Sequence, residues 1–442
     1  MRILALGGYG EFGRNMTAVQ VGDEIVILDM GVHLENYIRC TEDEDIVRMS
    51  ADTLIEEEAV PDISLLDKLD GKVIAIIPSH AHLDHIGGIP FLAKRFDAKV
   101  IGTPFSIAVL NRILKDERIK LPNKLVTLEE GHRIRLSKNF LVEFINTTHS
   151  TPQTVMIALR TFDGNLLYSN DFKFDCYPTL GKKTDMRRLR ALGKEGLDAL
   201  IVDSTYSTER YKMPSESVAK QMLKDVLLGT ESKGKAVVVT TFSSHIARLA
   251  SIIEFGKKMG RKIVFLGRSL NKYSMAAEEV GLVNFSEDIE RVRWSSKVGK
   301  RLRQIEREGV DKYLLVVTGH QGEPKSVLTK MVNNKYGFSL RHDDHVVFSC
   351  KTIPSPTNIE NRAHLERQLA AMGVRMFTDI HVSGHAGRED LRDLIEIVRP
   401  KHVIPAHGTE KMTTGLASLA EEMGYKQDVT VHLMENGKLI EL

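Results

Sequence analysis

The segment Ser79-His80-Ala81-His82-Leu83-Asp84-His85 places three imidazoles and a carboxylate within six positions. Such groups are costly to bury unpaired, so packing alone does not explain them. Alternation in an extended loop turns His80 and His82 toward one side, while Asp84 and His85 can face a second point. The arrangement could hold two metal ions rather than one. Imidazole and carboxylate ligands suit zinc, with manganese as the alternative. More ligands of the same type close apolar runs elsewhere: His149 ends FINTTH, Asp171 ends NLLYSND and His407 ends HVIPAH. Each alone reads as a hydrogen-bonded loop residue. Placed alike after apolar segments, they form a set with the cluster.

The elements that must position these groups come in two grammars. KVIAII, directly before the cluster, is a continuous apolar run expected of a strand buried on both faces, and Ile86-Gly87-Gly88 opens a helix after it. Most of the first 170 or so residues read as strands: ILALGG, TAVQV and EIVILDMG, then FLVEFINTTH, TVMIALRT and NLLYSND. Gly22-Asp23 and Asp163-Gly164 are the tight turns. The acidic stretch from Thr41 to Glu58 reads as a solvated excursion. From about Ser207 strands and helices alternate. KAVVVTTF leads into HIARLASIIEFGKKMG, RKIVFLG and YLLVVTG each lead into a helix, and HVVFSC closes the block near Cys350. NRAHLERQLAAMG (helix), VRMFTD (strand), LRDLIEIVRP (helix) and HVIPAHG (strand) follow. Two α/β modules without repeats are expected.

Composition narrows the class. At roughly 150 residues per domain, 442 residues suggest two or three domains. Lys+Arg of 61 against Asp+Glu of 59 leaves a formal charge of +2, which excludes a generally cationic coat for nucleic acid; such a partner would need a local patch. The three cysteines, Cys40, Cys176 and Cys350, are far apart and form no C-x-x-C, so a disulfide framework or thiolate zinc site is not expected and a reducing, cytoplasmic setting is. MRILALGGYGEFG lacks the layout of a signal peptide, and no apolar run is long enough to cross a bilayer. Gly8-x-Gly10-x-x-Gly13, with Asp29 beyond, superficially fits a dinucleotide fingerprint. That fingerprint needs a helix after the glycines, and the next strand begins too soon for one.

HAHLDH with His149 and Asp171 resembles the metallo-β-lactamase fold. Asp203 in VDSTY, His385 in HVSGHAG and His407 in IPAHG resemble the three further motifs of the β-CASP nucleases. ALGGYGEFGRNM, VPDISLL, GRS at 267–269, TGHQGEP at 318–324 and HVSGHA resemble the ribonuclease J family, over nearly the whole chain. The resemblance implies an α/β protein: a metallo-β-lactamase αββα sandwich, residues 1–207 and 351–442, with an inserted α/β β-CASP domain, residues 208–350. Longer family members carry a further C-terminal domain linked to dimerisation. This chain stops at Leu442, so that domain is expected to be absent, leaving monomer and homodimer both open. A KH-type domain before the core is not expected, which counts against the cleavage-and-polyadenylation branch.

By resemblance, His80, His82 and His149 would hold one zinc ion, Asp84, His85 and His407 a second, and Asp171 would bridge them. Asp29 would orient a ligand imidazole. Asp84, Asp203 and His385 are the candidate catalytic residues, with His385, oriented by Asp203, protonating the leaving 3′-oxygen. A turn cap before Ser204-Thr205 is the simpler role for Asp203. Thr240-Thr241-Phe242-Ser243-Ser244-His245, where a strand gives way to a helix, offers N–H groups and hydroxyls suited to a phosphate. An N-cap Ser followed by a surface His fits that segment equally well. The resemblance implies a pocket for an RNA 5′-monophosphate built from Ser244, His245, Arg268, Ser383, Gly384 and His385. RVRWSSKVGKRLRQIER, 291–307, is either a local RNA-contacting face or a solvated helix face.

The function expected is a zinc-dependent 5′→3′ exoribonuclease acting on single-stranded RNA with a 5′-monophosphate. Its rivals are an endoribonuclease of the same superfamily and an inert RNA-binding scaffold, against which the complete ligand set argues. A lactamase or glyoxalase type of hydrolase leaves the insertion unexplained. Deoxyribonucleases of the superfamily typically lack a His at the final motif, so His407 favours RNA.

Overall fold

The computed structural model describes residues 1–41 and 49–442. It divides into two compact units, one comprising Met1–Cys176, Gly181–Met213 and Gly384–Leu442, the other Tyr177–Leu180 and Pro214–Ser383. The boundaries expected at 207/208 and 350/351 differ from these. The later one differs most, because the strand Arg375–Phe377 pairs in parallel with His345–Phe348 and so extends the sheet of the second unit. Alternating helix and strand signals do not say which sheet a strand joins.

The first unit is a two-sheet sandwich with helices outside. One sheet has seven strands and the other six. In the first, Arg2–Gly7, Met16–Val21 and Glu24–Leu28 run antiparallel, and Lys72–Ile77, Lys99–Gly102 and Leu125–Thr127 continue in parallel. In the second, Leu141–Asn146, Val155–Thr161 and Gly164–Tyr168 form an antiparallel meander, joined in parallel by Leu197–Asp203 and Pro400–Ala406. Ile3, Val19, Val26 and Ala75 from one sheet pack on Phe144, Ile157, Leu166 and Ile201 from the other in one apolar core. The outer face of the second sheet buries Leu189 and Leu192 of the helix Met186–Glu195, Leu394 of Arg388–Val398 and Leu416 of Glu410–Glu422. This is the metallo-β-lactamase arrangement.

The glycine-rich N-terminal segment enters no helix. Gly8, Gly10 and Gly13 have positive φ and the chain passes into the strand Met16–Val21. A Cβ on Gly8 would lie 2.2 Å from the Asn15 side chain, so the glycine permits a close turn. The acidic stretch lies partly outside the described residues; at its C-terminal side the helix Ala51–Glu56 buries Ala51 and Leu54.

The second unit is an open six-stranded sheet, all parallel. Its strands VVVT, KIVFL, YLLVV and HVVF are almost continuously apolar, as a sheet covered on both faces requires.

Candidate metal centre

The site lies where strands of both sheets of the first unit end. Glu24–Leu28 runs into Asp29, Lys72–Ile77 into Ser79 and the histidine cluster, Leu141–Asn146 toward His149, Gly164–Tyr168 toward Asp171, and Pro400–Ala406 into His407. Asp203 is the last residue of Leu197–Asp203. Asp29, Asn170 and His407 have φ of +58°, +46° and +49°, a region in which Asp, Asn and His are the usual non-glycine residues. Gly31 allows the histidine loop to approach, since a Cβ there would fall 1.6 Å from the Asp84 carbonyl oxygen.

Two groups of four residues could each hold a cation: His80, His82, His149 and Asp171, and Asp84, His85, Asp171 and His407. A third group, Asp171, Asp203, His385 and His407, overlaps them. Asp171 belongs to all three. Its Oδ2 lies 3.6 Å from His80 Nε2, 3.4 Å from His85 Nε2 and 3.6 Å from His149 Nε2, while Oδ1 lies 3.6 Å from His407 Nε2.

The outer nitrogens of these rings are fixed by groups that accept. Asp29 takes Nδ1–H of His85 at 2.7 Å, Ser79 N–H at 2.6 Å, the Ser79 hydroxyl at 2.9 Å and the Tyr168 hydroxyl at 2.7 Å. With its own proton directed at Asp29, Ser79 Oγ accepts from His80 Nδ1 at 3.0 Å. The Gly384 carbonyl accepts from His149 Nδ1, and Asn15 Oδ1 from His407 Nδ1, each at 2.8 Å. Four Nε2 atoms thereby point inward. Burial works against charge on His85, but Asp171, Asp29 and Asp84 outweigh it and push that imidazole well above its ordinary range, so its Nε2 would ligate on giving up a proton. His82 turns its Nδ1 inward instead, 3.1 Å from His80 Nε2 and 3.2 Å from His149 Nε2. Tetrahedral zinc with Zn–N of about 2.0–2.1 Å separates its nitrogens by about 3.3 Å. Asp171 Oδ1, buried, has no hydrogen-bond partner among the described residues. Converging lone pairs and an orphaned carboxylate oxygen fit a cation centre and little else.

Burial holds His80, His82 and His149 low, His82 at about 4, which keeps them neutral and able to ligate. Burial alone would raise Asp84 and Asp171, but His85 acting on the first and His407 on the second hold both well below the usual carboxylate range. His385 donates Nδ1–H to Asp203 Oδ2 at 2.8 Å and keeps Nε2 3.9 Å from Asp171. Burial works against its charge, but Asp203 and Asp171 outweigh it and push His385 up to about 9. Asp203 also accepts from Thr205 N–H and the Thr205 hydroxyl through Oδ1, so the turn cap and the contact to His385 coexist on its two oxygens.

Asn15 and Tyr168 were not expected. The Asn15 amide also donates to the Asp84 carbonyl at 3.0 Å, tying the His407 loop to the histidine loop. Its position beside a glycine-rich turn, before an apolar strand, was the available signal. Gly384 belongs to the first unit, and a Cβ there would lie 2.7 Å from His149 Nδ1. Ser244, His245, Arg268 and Ser383 belong to the second. His245, rather than a serine, caps the helix Ile246–Lys258, accepting from Arg248 N–H through Nδ1 at 3.3 Å. Its Nε2 faces Glu216 at 3.3 Å. Being 3% exposed with both ring nitrogens engaged, it is not the surface residue its local pattern allowed. Ser244 is buried beside it and Arg268 is exposed at the start of Arg268–Glu279.

Known proteins match this architecture along the whole chain. Residues 9–211 match the metallo-beta-lactamase superfamily, 234–368 the ribonuclease J beta-CASP domain, and 372–433 the Zn-dependent metallo-hydrolase RNA specificity domain. The protein named Ribonuclease J in Methanocaldococcus jannaschii is 43% identical over 441 residues, covering 100% of this chain and 98% of the relative. That of Pyrococcus abyssi is 41% identical, covering 100% and 97%. That of Mycobacterium tuberculosis is 33% identical, covering 100% of this chain and 75% of its own length. A crystal structure of a protein of unknown function from Enterococcus faecalis shares the fold, with a TM-score of 0.66 at 16% identity over 100% and 99% of the chains. Full-length identity of this order, on a chain whose strand ends assemble such a centre, makes it a member of the ribonuclease J family.

Proposed function

We propose that this chain is a zinc-dependent 5′→3′ exoribonuclease that prefers single-stranded RNA carrying a 5′-monophosphate. Metal-dependent hydrolysis of RNA follows from family membership. The observation that supports a two-ion hydrolytic centre is the sharing of Asp171 by two four-residue groups, with His385 and Asp203 in a third group that overlaps them. His80, His82, His149 and Asp171 would hold one zinc ion, and Asp84, His85, His407 and Asp171 the other, with manganese able to substitute. Bound there, the pair would supply positive charge against the scissile phosphate and lower the pKa of the attacking water.

The protein's own groups do the rest. Asp29 and Asn15 keep the imidazole lone pairs aimed inward. Asp84, ionised and 29% exposed at the side chain, would also orient the attacking water. His385, held protonated by Asp203, delivers a proton to the leaving 3′-oxygen. On the second unit, Ser244, with N–H groups at the start of Ile246–Lys258, Arg268 and Ser383 are the groups that would receive a 5′-phosphate; His245 would shape that end of the helix through its cap. Removal of one nucleotide at a time from a 5′-monophosphate end releases a mononucleotide and regenerates a 5′-monophosphate.

No helix among the described residues is long and apolar enough to cross a membrane. We place the enzyme in the cytoplasm, as monomer or homodimer. The test uses one RNA sequence with 5′-hydroxyl, monophosphate or triphosphate, labelled at the 5′ end. Early labelled mononucleotide from the monophosphate form, reduced by Ser244→Ala, is expected. Internal fragments appearing first, at rates indifferent to the 5′ group, would establish the endonuclease instead.

A further inference from the structure

The second unit carries its charge unevenly. The strand Ile289–Val292 forms one edge of its sheet and leads through Arg293 and Trp294 into the helix Ser295–Glu308. That helix turns Val298, Leu302 and Ile305 into the core. Lys297, Lys300 and Gln304, spaced three and four apart, share its exposed face. Trp294, the sole tryptophan of the chain, is 48% exposed, and the Arg293 guanidinium sits 4.4 Å from its ring centroid. These residues line an open groove of about 400 Å³.

Other cations at the groove are already committed. Arg291 pairs with Glu278 at 2.7 Å and Arg301 with Glu290 at 2.8 Å. Lys297 and Lys300 form no ion pair among the described residues. Positive charge continues past the helix start, where Lys330 Nζ lies 3.5 Å from Ser295 Oγ. Burial, then Lys335, Arg268 and Lys325, lower the pKa of Lys330, so these cations crowd one another. Arg268 begins the helix whose Ser269 hydroxyl lies 2.9 Å from that of Ser243. The strip thus runs from the Trp294 groove to the strand ends that carry Ser243 and Ser244.

Lysines alone at a sheet edge would be read as protection against edge-to-edge pairing. An exposed tryptophan does the opposite, since it adds apolar surface where a bare edge is a liability. An acidic peptide would satisfy the lysines but has no regular planar group for the indole. Single-stranded nucleic acid presents both a flat base and a charge at each nucleotide.

We propose that the Trp294 groove is a second binding site for single-stranded RNA, in which a base stacks on the indole while Lys297 and Lys300 meet the flanking phosphates. This rests on the ribonuclease reading, and it adds a site that grips the part of a long RNA lying outside the metal centre.

The tryptophan is its own reporter. Indole emission is followed while the intact protein is titrated with a 15-nucleotide phosphorothioate oligoadenylate, and fluorescein-labelled oligomer gives total binding by anisotropy. Quenching should track anisotropy. Trp294→Ala should weaken binding about tenfold and Trp294→Phe should restore most of it. Lys297→Gln combined with Lys300→Gln should reduce the log–log salt slope by about 1.4, near 0.7 for each phosphate that is no longer neutralised. In cleavage, Trp294→Ala should raise KM for a 20-nucleotide RNA while leaving kcat, and turnover of a tetranucleotide, unchanged. Unchanged emission at saturating anisotropy, or absence of binding, overturns the proposal. Equal quenching by polyglutamate also overturns it, in favour of a protein partner. Wild-type protein that quenches normally but hydrolyses no RNA would overturn the nuclease reading and leave the groove standing.

Discussion

Nδ1 of His385 lies 2.8 Å from Oδ2 of Asp203, and the other oxygen of that carboxylate is taken up by Thr205. The carboxylate therefore fixes both the ring orientation and the nitrogen that carries the proton facing it, while Nε2 is left for substrate. If this pair protonates the leaving oxygen, His385→Ala and Asp203→Asn should each slow single-turnover cleavage by about 10²-fold or more. Metal content should persist, because the two four-residue groups are complete without either residue. A large fall in metal content would place the pair among the ligands, and an unchanged rate would return it to structure.

Asp171 sits in every group that could hold a cation, so its loss would touch both proposed sites. Asp171→Ala should empty both sites as purified, whereas His80→Ala should empty one and weaken the other. Elemental analysis beside RNase activity separates the two cases. Full metal content with full activity in His80→Ala would end the two-ion assignment.

Asn15 reaches His407 across a sequence separation of 392 residues and holds the Asp84 carbonyl with its amide. Asn15→Ala removes the acceptor that keeps the His407 Nε2 lone pair inward. A loss of about 10–100-fold in metal affinity or activity is expected, as for other partners of ligating imidazoles. Excess zinc should restore part of that loss, a response that a folding defect would not show.

The histidine cluster was legible because its meaning is local: spacing, residue type and a preceding apolar strand are all visible within fifteen or so residues. Asp29 and Asn15 differ in this respect. The family resemblance pointed to Asp29, whereas no sequence rule connects Asn15 with a histidine near the other end of the chain. The division into compact units differs from the boundary read in the sequence for a related reason, since Arg375–Phe377 looks the same whichever sheet receives it. For His245 the local pattern left a surface setting open, because a histidine after two serines at a helix start ordinarily faces water. It is buried against Glu216, which shares the inward face of its own helix with Ala219, Leu223 and Leu227, a position where a charged residue is not expected without a partner.

That carboxylate is the basis of the last prediction. Glu216 is 4% exposed and accepts from the fully buried Arg248 at 2.5 Å and 2.7 Å. Arg248 also donates to the Ser349 and Ile380 carbonyls, so one guanidinium ties three segments of the second unit together. Burial would raise the Glu216 carboxyl, but His245 and Arg248 outweigh it and hold the group well below its ordinary value. A folded value below the unfolded one means that the stabilisation is complete above about pH 4, the ordinary range for Glu, and is lost as pH falls further. Thermal unfolding of the wild type should therefore weaken steeply on acidification below about pH 4. Glu216→Gln leaves Arg248 buried without its counter-charge and should cost about 3 kcal/mol at neutral pH. Its stability should also fall less steeply in acid, because the titrating group is gone. Equal acid slopes in the two proteins would show that Glu216 does not stabilise the second unit through its charge.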